Sequence, residues 1–177
     1  WSEAGIVDSN SPRVGFIGAG RAANALASAL YGKGYRVTSV ASRTLASAEA
    51  LAERVEGCVS HVTLQEVADG CDLVFITTPD DTIGTVAGEV RWREGTGVAH
   101  CSGAESAAVL EAARKQGAIV GSFHPMQTFT AATQGAKTFD GVAFAVEGPS
   151  PLIDTLKEMS SALGGWPVEV RPEHRAL

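Results

Sequence analysis

The sequence predicts an α/β protein, a doubly wound parallel sheet with two extra strands toward its C-terminal end. Two observations carry that expectation. Short apolar runs alternate with alanine-rich segments of helical length along most of the chain. The clearest run, Asp72-Leu73-Val74-Phe75-Ile76-Thr77, is apolar without a break, as a strand covered on both faces must be.

The elements follow in order. Val14-Gly15-Phe16-Ile17 reads as the first strand, and Arg21 to Tyr31 as a helix with Ala22, Leu26, Ala29 and Leu30 on its apolar face. Arg36 to Ala41 is the second strand, followed by a helix from Leu45 to Arg54, a short strand near Cys58 and a half-turn at Leu64 to Ala68. After the strand at Asp72 to Thr77 come a helix at Asp81 to Val90 and a strand at Gly97 to Cys101. A helix at Glu105 to Gln116 and a strand at Ala118 to Phe123 complete the rhythm. Gln127 to Phe139, with its Thr, Gly and Gln, reads as a surface excursion. Val142 to Val146 is a further strand. Pro151 to Leu163 is a helix with Pro near its first turn and Gly164-Gly165 as its stop, and Val168 to Val170 a last short strand. The expected strand order is 3-2-1-4-5-6, extended by the strands at Val142 and Val168.

With 177 residues, 45% hydrophobic and 19% charged, the composition suits one globular domain. Fourteen basic against 20 acidic residues give a net charge of -6, and no Lys/Arg cluster exceeds a pair. Nucleic acid and anionic membrane are therefore not expected as partners; a small-molecule substrate is. No apolar segment approaches membrane-spanning length. Trp1-Ser2-Glu3-Ala4-Gly5 has neither a basic nor an apolar signal region. Cys58, Cys71 and Cys101 are odd in number and form no C-x-x-C pair, which fits reduced thiols in a cytoplasmic protein.

The first strand runs into Gly18-Ala19-Gly20-Arg21-Ala22-Ala23, a G-x-G-x-x-A between strand and helix. Gly18 permits the tight turn, Gly20 lets the backbone approach a pyrophosphate on the helix N-terminus, and Ala23 keeps helix and strand close. The competing reading is a plain strand–helix corner. A site for NAD would place a carboxylate about 20 residues on. That position reads Ala41-Ser42-Arg43-Thr44, and no Asp or Glu occurs between Gly18 and Glu49. Ser42 and Thr44 offer hydroxyls and Arg43 a fork for a 2′-phosphate, so NADP is the expected cofactor, with NAD the second choice. A solvated arginine at a strand end is the bland alternative.

Ligands of such sheets lie beyond the carboxyl ends of the strands, where polar groups gather at Thr77 to Asp80, His100 to Gly103 and Ser122 to Pro125. Thr78 and Pro79 are expected to wall the cofactor. Asp80 and Asp81 read as helix N-caps, as Ser102 also could. Pro125 holds His124 extended at the mouth of the sheet. A serine and a histidine converging near a nicotinamide suit proton transfer coupled to hydride transfer, with Ser102 holding the substrate and His124 exchanging the proton. His124 could equally be structural, hydrogen-bonding a loop. A metal set of His100, Cys101 and His124 is disfavoured, because strand neighbours point to opposite faces. His61 and His174 read as surface residues, and Cys101 as a structural thiol.

The phosphate loop with "ASRT", "TTPDD", "CSGA" and "GSFHPMQTF" together resembles the Rossmann-like/DUF2520 family of NADP-dependent oxidoreductases, within the 6-phosphogluconate dehydrogenase-like reductases. The resemblance runs from about Pro12 to Leu177. The "HPM" stretch is also similar to the segment bearing the catalytic histidine of prephenate dehydrogenases, which implies a substrate-facing His124 with Ser102 as its partner. The lysine-bearing motif of hydroxyacid dehydrogenases has no counterpart at Ser102 to Glu105. On this reading residues 1–12 are a flexible leader and 13–171 the dinucleotide-binding domain. Residues 172–177 would begin a truncated helical domain through which the resemblance implies a homodimer. The expected function is hydride transfer between nicotinamide and a small oxo or hydroxy acid or an imine, by an enzyme of which this chain alone is inactive. A dinucleotide-binding sensor or scaffold without turnover is the alternative.

Overall fold

Runs of β-branched and aromatic residues with no polar face are stable only inside a sheet covered on both sides, and such a sheet organises this chain. The computed structural model describes residues 10–128 and 138–174. Strands and helices alternate as β1 (Arg13–Ile17), α1 (Arg21–Gly32), β2 (Arg36–Ala41), α2 (Leu45–Ala52), β3 (Val59–His61) and α3 (Leu64–Gly70). They continue as β4 (Leu73–Ile76), α4 (Ile83–Glu89), β5 (Gly97–His100), α5 (Glu111–Arg114), β6 (Ile119–Pro125), β7 (Ala143–Glu147), α6 (Leu152–Ala162) and β8 (Trp166–Glu169). The sheet order is β3-β2-β1-β4-β5-β6-β7-β8, the order expected from the sequence. Strands β1 to β6 are parallel; β7 runs antiparallel to β6, and β8 parallel to β7.

Two apolar layers sandwich the sheet. One joins α1, α2 and α6 to Val14, Phe16, Leu73, Phe75, Ala99 and Phe123. The other joins α3, α4 and α5 to Ile17, Val74, Ile76, Val98 and Val120. Successive strand residues thus serve opposite layers, as the pleat requires. In the first layer a row of rings crosses the sheet: Phe16–Phe75 at 5.4 Å, Phe75–Phe123 at 5.7 Å and Phe123–Phe144 at 4.7 Å between centroids. Ala99, in register with Phe75, is small enough to let the row pass over β5. Each buried ring contributes on the order of 1.5–3 kcal/mol by leaving water. At the opposite edge from the site, Arg13 and Asp72 staple β1 to β4 through Nε–Oδ2 at 3.0 Å and Nη2–Oδ1 at 2.9 Å. That fork holds the Asp72 carboxyl down at about 2.

Three elements differ from expectation. Leu64–Gly70 is a helix rather than a half-turn, started by a capping box in which Thr63 Oγ1 accepts from Glu66 N–H and Glu66 accepts from Thr63 N–H. Asp80 and Asp81, expected as caps, lie within a 3₁₀ turn, Asp80–Thr82, that has no side-chain cap. The helix expected from Glu105 begins instead as a 3₁₀ turn at Ala107–Leu110 and becomes α-helical only at Glu111. Of the expected excursion, residues 129–137 lie outside the described residues, as do 1–9 of the leader and 175–177. Among the described residues no helix is long and apolar enough to cross a membrane.

Candidate functional site

The turn after β1 is fastened from both sides. Gly18 N–H donates to Ala41 O of β2 at 2.8 Å, and Thr77 Oγ1 donates to Ile17 O at 3.2 Å and Gly18 O at 3.0 Å. Gly18 has φ +104°, and a Cβ there would stand 2.9 Å from the carbonyl carbon and oxygen of Thr77. Only glycine fits. Gly20 is different: a Cβ on it meets nothing within 4 Å, so the chain itself leaves open space there. Gly20 also begins α1, whose first turn has no side-chain cap and no acidic residue. Asn24 Nδ2 donates to Ala19 O at 3.0 Å and to Gly20 O at 2.9 Å, tying down the carbonyls of the turn. The first N–H groups of α1 are then left for an outside acceptor.

Ser42, Arg43 and Thr44 follow Ala41 directly, beside this turn. Ser42 is half-buried; Arg43 and Thr44 are exposed. Thr44 Oγ1 lies 2.7 Å from Ser47 Oγ, and Arg43 has no ion-pair partner among the described residues. No Asp or Glu occurs in the sequence between Gly18 and Glu49.

A cleft of about 120 Å³ opens between the glycine turn and the ends of β4 and β5, lined by Ala22, Ile76, Thr77, Thr78, Asp80, Cys101 and Ser102. Thr78 Oγ1 is buried in it with no hydrogen-bond partner among the described residues. A buried hydroxyl without a partner costs free energy unless something supplies one. Pro79 lies at the exposed rim.

Ser102 is buried, and its Oγ accepts from the N–H groups of Ala104 and Glu105, each at 3.1 Å. It therefore shapes its own turn while lining the cleft. His124, half-buried near the end of β6, pairs with Ala145 of β7. Its Nδ1 lies 3.0 Å from Cys101 O. A carbonyl can only accept, so Nδ1 carries the proton, and Nε2 is the nitrogen that is bare whenever the ring is neutral. Gly103 abuts the ring: a Cβ there would meet Nε2 at 2.6 Å and Cε1 at 2.8 Å. Ser102 and His124 thus share one corner, the His124 ring lying against the two residues that flank Ser102, Cys101 and Gly103, although His124 does not line the cleft. Burial pushes the Cys101 thiol up to about 12, so it stays protonated at neutral pH. His100 and Cys101 face opposite layers, and among the described residues no group of three or more His, Cys, Asp and Glu is placed to hold a metal ion. His61 is half-buried, its Nδ1 3.9 Å from Glu66 Oε1.

The sequence reading gave no role to two residues that lock the turn, Asn24 and Thr77. Asn24 carries a local signal, a side-chain amide one turn after the second glycine. Thr77 acts across the sheet, on Ile17 and Gly18, and its partners are invisible until β1 and β4 are paired.

The Rossmann-like domain model matches residues 2–125. Among solved structures, BF3122 from Bacteroides fragilis, named as an NADP oxidoreductase, is 29% identical with a TM-score of 0.81, covering 94% of this chain and 63% of its own. The protein TM1727 from Thermotoga maritima is 23% identical, TM-score 0.73, with 92% and 59% covered. Prephenate dehydrogenase from Aquifex aeolicus, in complex with hydroxyphenyl propionate and NAD+, is 16% identical, TM-score 0.78, with 95% and 63% covered. The last two likenesses are of fold alone, and this chain spans about three-fifths of the length of each of these proteins. No curated protein matches the sequence. By the domain match, over more than half its length, the chain belongs to the Rossmann-like domain family.

Proposed function

We propose that this chain is the dinucleotide-binding part of an NADP-dependent oxidoreductase acting on a small oxo or hydroxy acid or an imine. One observation carries the reading: the buried, unpartnered Thr78 hydroxyl in a cleft that adjoins the open space over Gly20. Both features are unexplained by the chain's own packing and both suit an extended polar ligand. When bound, a nicotinamide dinucleotide supplies a hydride donor or acceptor.

Gly18, Ala19, Gly20, Arg21 and Ala22 would hold the pyrophosphate through the backbone and the start of α1. Ser42, Arg43 and Thr44 would take the 2′-phosphate, favoured over the bare ribose of NAD by the Arg43 guanidinium, which has no ion-pair partner among the described residues, and by the lack of Asp or Glu between Gly18 and Glu49. Thr78 and Pro79 would line the nicotinamide side. His124 Nε2 would exchange a proton with the substrate, and the Ser102 hydroxyl would hold the reacting oxygen or nitrogen. A sensor without turnover has no use for Ser102 and His124 at adjoining strand ends, so turnover is the better reading. The free Cys58, Cys71 and Cys101 fit a reducing, cytoplasmic setting.

The test has two stages. Fluorescence titration of the 177-residue chain should show NADPH binding; its absence overturns the proposal. A longer protein containing this domain should then oxidise NADPH in a screen of oxo acids and imines, and His124→Ala should abolish the activity it finds. Full activity in that variant would remove His124 from the chemistry.

A further inference from the structure

The residues from Ala104 to Gln116 are rich in helix formers, yet the helix starts late. Two buried groups hold the preceding segment open. His100, fully buried at the end of β5, accepts the Ser102 N–H at Nδ1 (3.1 Å), and its Nε2 lies 3.0 Å from Ser106 O. Glu147 of β7 accepts the Ala107 N–H at Oε1, 3.1 Å. Because the Ser102 N–H must donate, Nδ1 of His100 bears no proton, and Nε2–H donates to Ser106.

A single peptide unit therefore joins two histidines. Its C=O, from Cys101, accepts from His124 Nδ1–H; its N–H, from Ser102, donates to His100 Nδ1. The chain of hydrogen bonds runs in one direction, His124 to peptide to His100 to Ser106 O. Hydrogen bonds in series polarise one another, and a peptide is rigid and planar, so anchoring its N–H also orients its C=O.

We propose that His100 is a positioning residue of the site: by fixing the Cys101–Ser102 peptide, it holds His124 in the tautomer that presents a bare Nε2. This rests on the proposed role of His124. His100 is itself buried and meets no substrate. Its place two residues before Ser102 puts the acceptor under the N–H of the serine that lines the cleft.

The experiment reads tautomers, not turnover. Histidine-labelled protein is examined by nitrogen NMR about two pH units above the ordinary imidazole value of ~6.5, with no cofactor present. In the unaltered chain, His124 should be protonated at Nδ1 and His100 at Nε2. His100→Asn keeps an acceptor near the Nδ1 position and should leave His124 at Nδ1–H. His100→Gln keeps a polar group of similar size at the Nε2 position but loses the acceptor for Ser102. In that variant the Nδ1–H preference of His124 should fall by about tenfold, the factor that 1.4 kcal/mol represents. Equal His124 tautomer ratios in the Asn and Gln variants, or an Nε2–H His124 in the unaltered chain, overturn the inference. Should either variant fail to fold, the unaltered chain still decides, because the lock requires opposite tautomers at the two histidines. Failure of the functional reading is separate: it appears as loss of NADPH binding or as an active His124→Ala variant, neither of which alters the tautomer result.

Discussion

Gly18 and Gly20 stand two residues apart in one turn, and the structure assigns them opposite sensitivities. Gly18→Ala places a methyl 2.9 Å from the Thr77 carbonyl carbon and oxygen, at φ +104°. The positive φ costs about 1–2 kcal/mol for a side-chain-bearing residue, and crowding against backbone adds about 1–3 kcal/mol. Thr77 cannot yield cheaply, since its N–H and Oγ1 are both bonded to the turn. The sum, about 2–5 kcal/mol, corresponds to roughly 4–20 °C in Tm for a chain of this size at about 2–4 °C per kcal/mol. Gly20→Ala meets nothing, so only the weaker cap preference is lost, about 0.5–1 kcal/mol and a few degrees. Its methyl does enter the space assigned to the pyrophosphate, and NADPH affinity should fall at least about tenfold. Thermal unfolding followed by circular dichroism gives the first pair of numbers, and NADPH fluorescence titration the second. A Gly20→Ala protein that binds NADPH like the unaltered chain would refute the placement of the pyrophosphate. A Gly18→Ala protein as stable as the parent would refute the steric reasoning itself.

Other outcomes follow from the same geometry. Arg43→Ala should remove a charge-assisted contact of about 1.5–3 kcal/mol, weakening NADPH about ten- to a hundredfold and barely touching NADH; equal affinities of the unaltered chain for the two cofactors would contradict this. Thr78→Val deletes an unpartnered buried hydroxyl, so stability should hold or rise slightly while NADPH binding weakens several-fold; a clear loss of stability would mean the hydroxyl already has a partner. Asp72, held at about 2 by Arg13 against 3.8 unperturbed, stabilises the fold above its unfolded value and loses that contribution as pH falls from about 5 toward 1. In Asp72→Asn, acid titration of stability should be shallower over that window. The pair is two-fifths exposed, so the effect at neutral pH should not exceed about 1 kcal/mol.

The strand order was readable because each of the first five strands is followed by one helix, and right-handed crossovers leave few ways to lay parallel strands side by side. The glycine turn was readable for a similar reason, since the groups that build it adjoin in sequence. The late start of α5 was not. Residues 104–116 favour helix locally, and what overrides them is buried hydrogen bonding from His100, at the end of the preceding strand, and from Glu147 of β7. Places where local preference and final structure disagree are where tertiary contacts are spent on shape, and here that shape carries Ser102 and abuts His124. The missed α3 is another matter: Thr63 and Glu66 are a capping box in plain sequence, and the signal was present.

The reversal at β7 has an electrical consequence. Helix α1, with 12 residues, leaves a parallel strand and begins at the edge bearing the cleft. Helix α6, with 11 residues, follows the reversed strand β7 and ends toward that same edge, where Gly164 leads into β8. Their dipoles point in opposite senses, about half a positive charge over β1 and half a negative one near β7 and β8. An anion drifting along the rim is drawn to one end and turned from the other, over distances no longer than the roughly 8 Å Debye length of physiological salt. A ligand with phosphates at one end and a neutral or cationic ring at the other would be sorted by polarity before it touched a side chain.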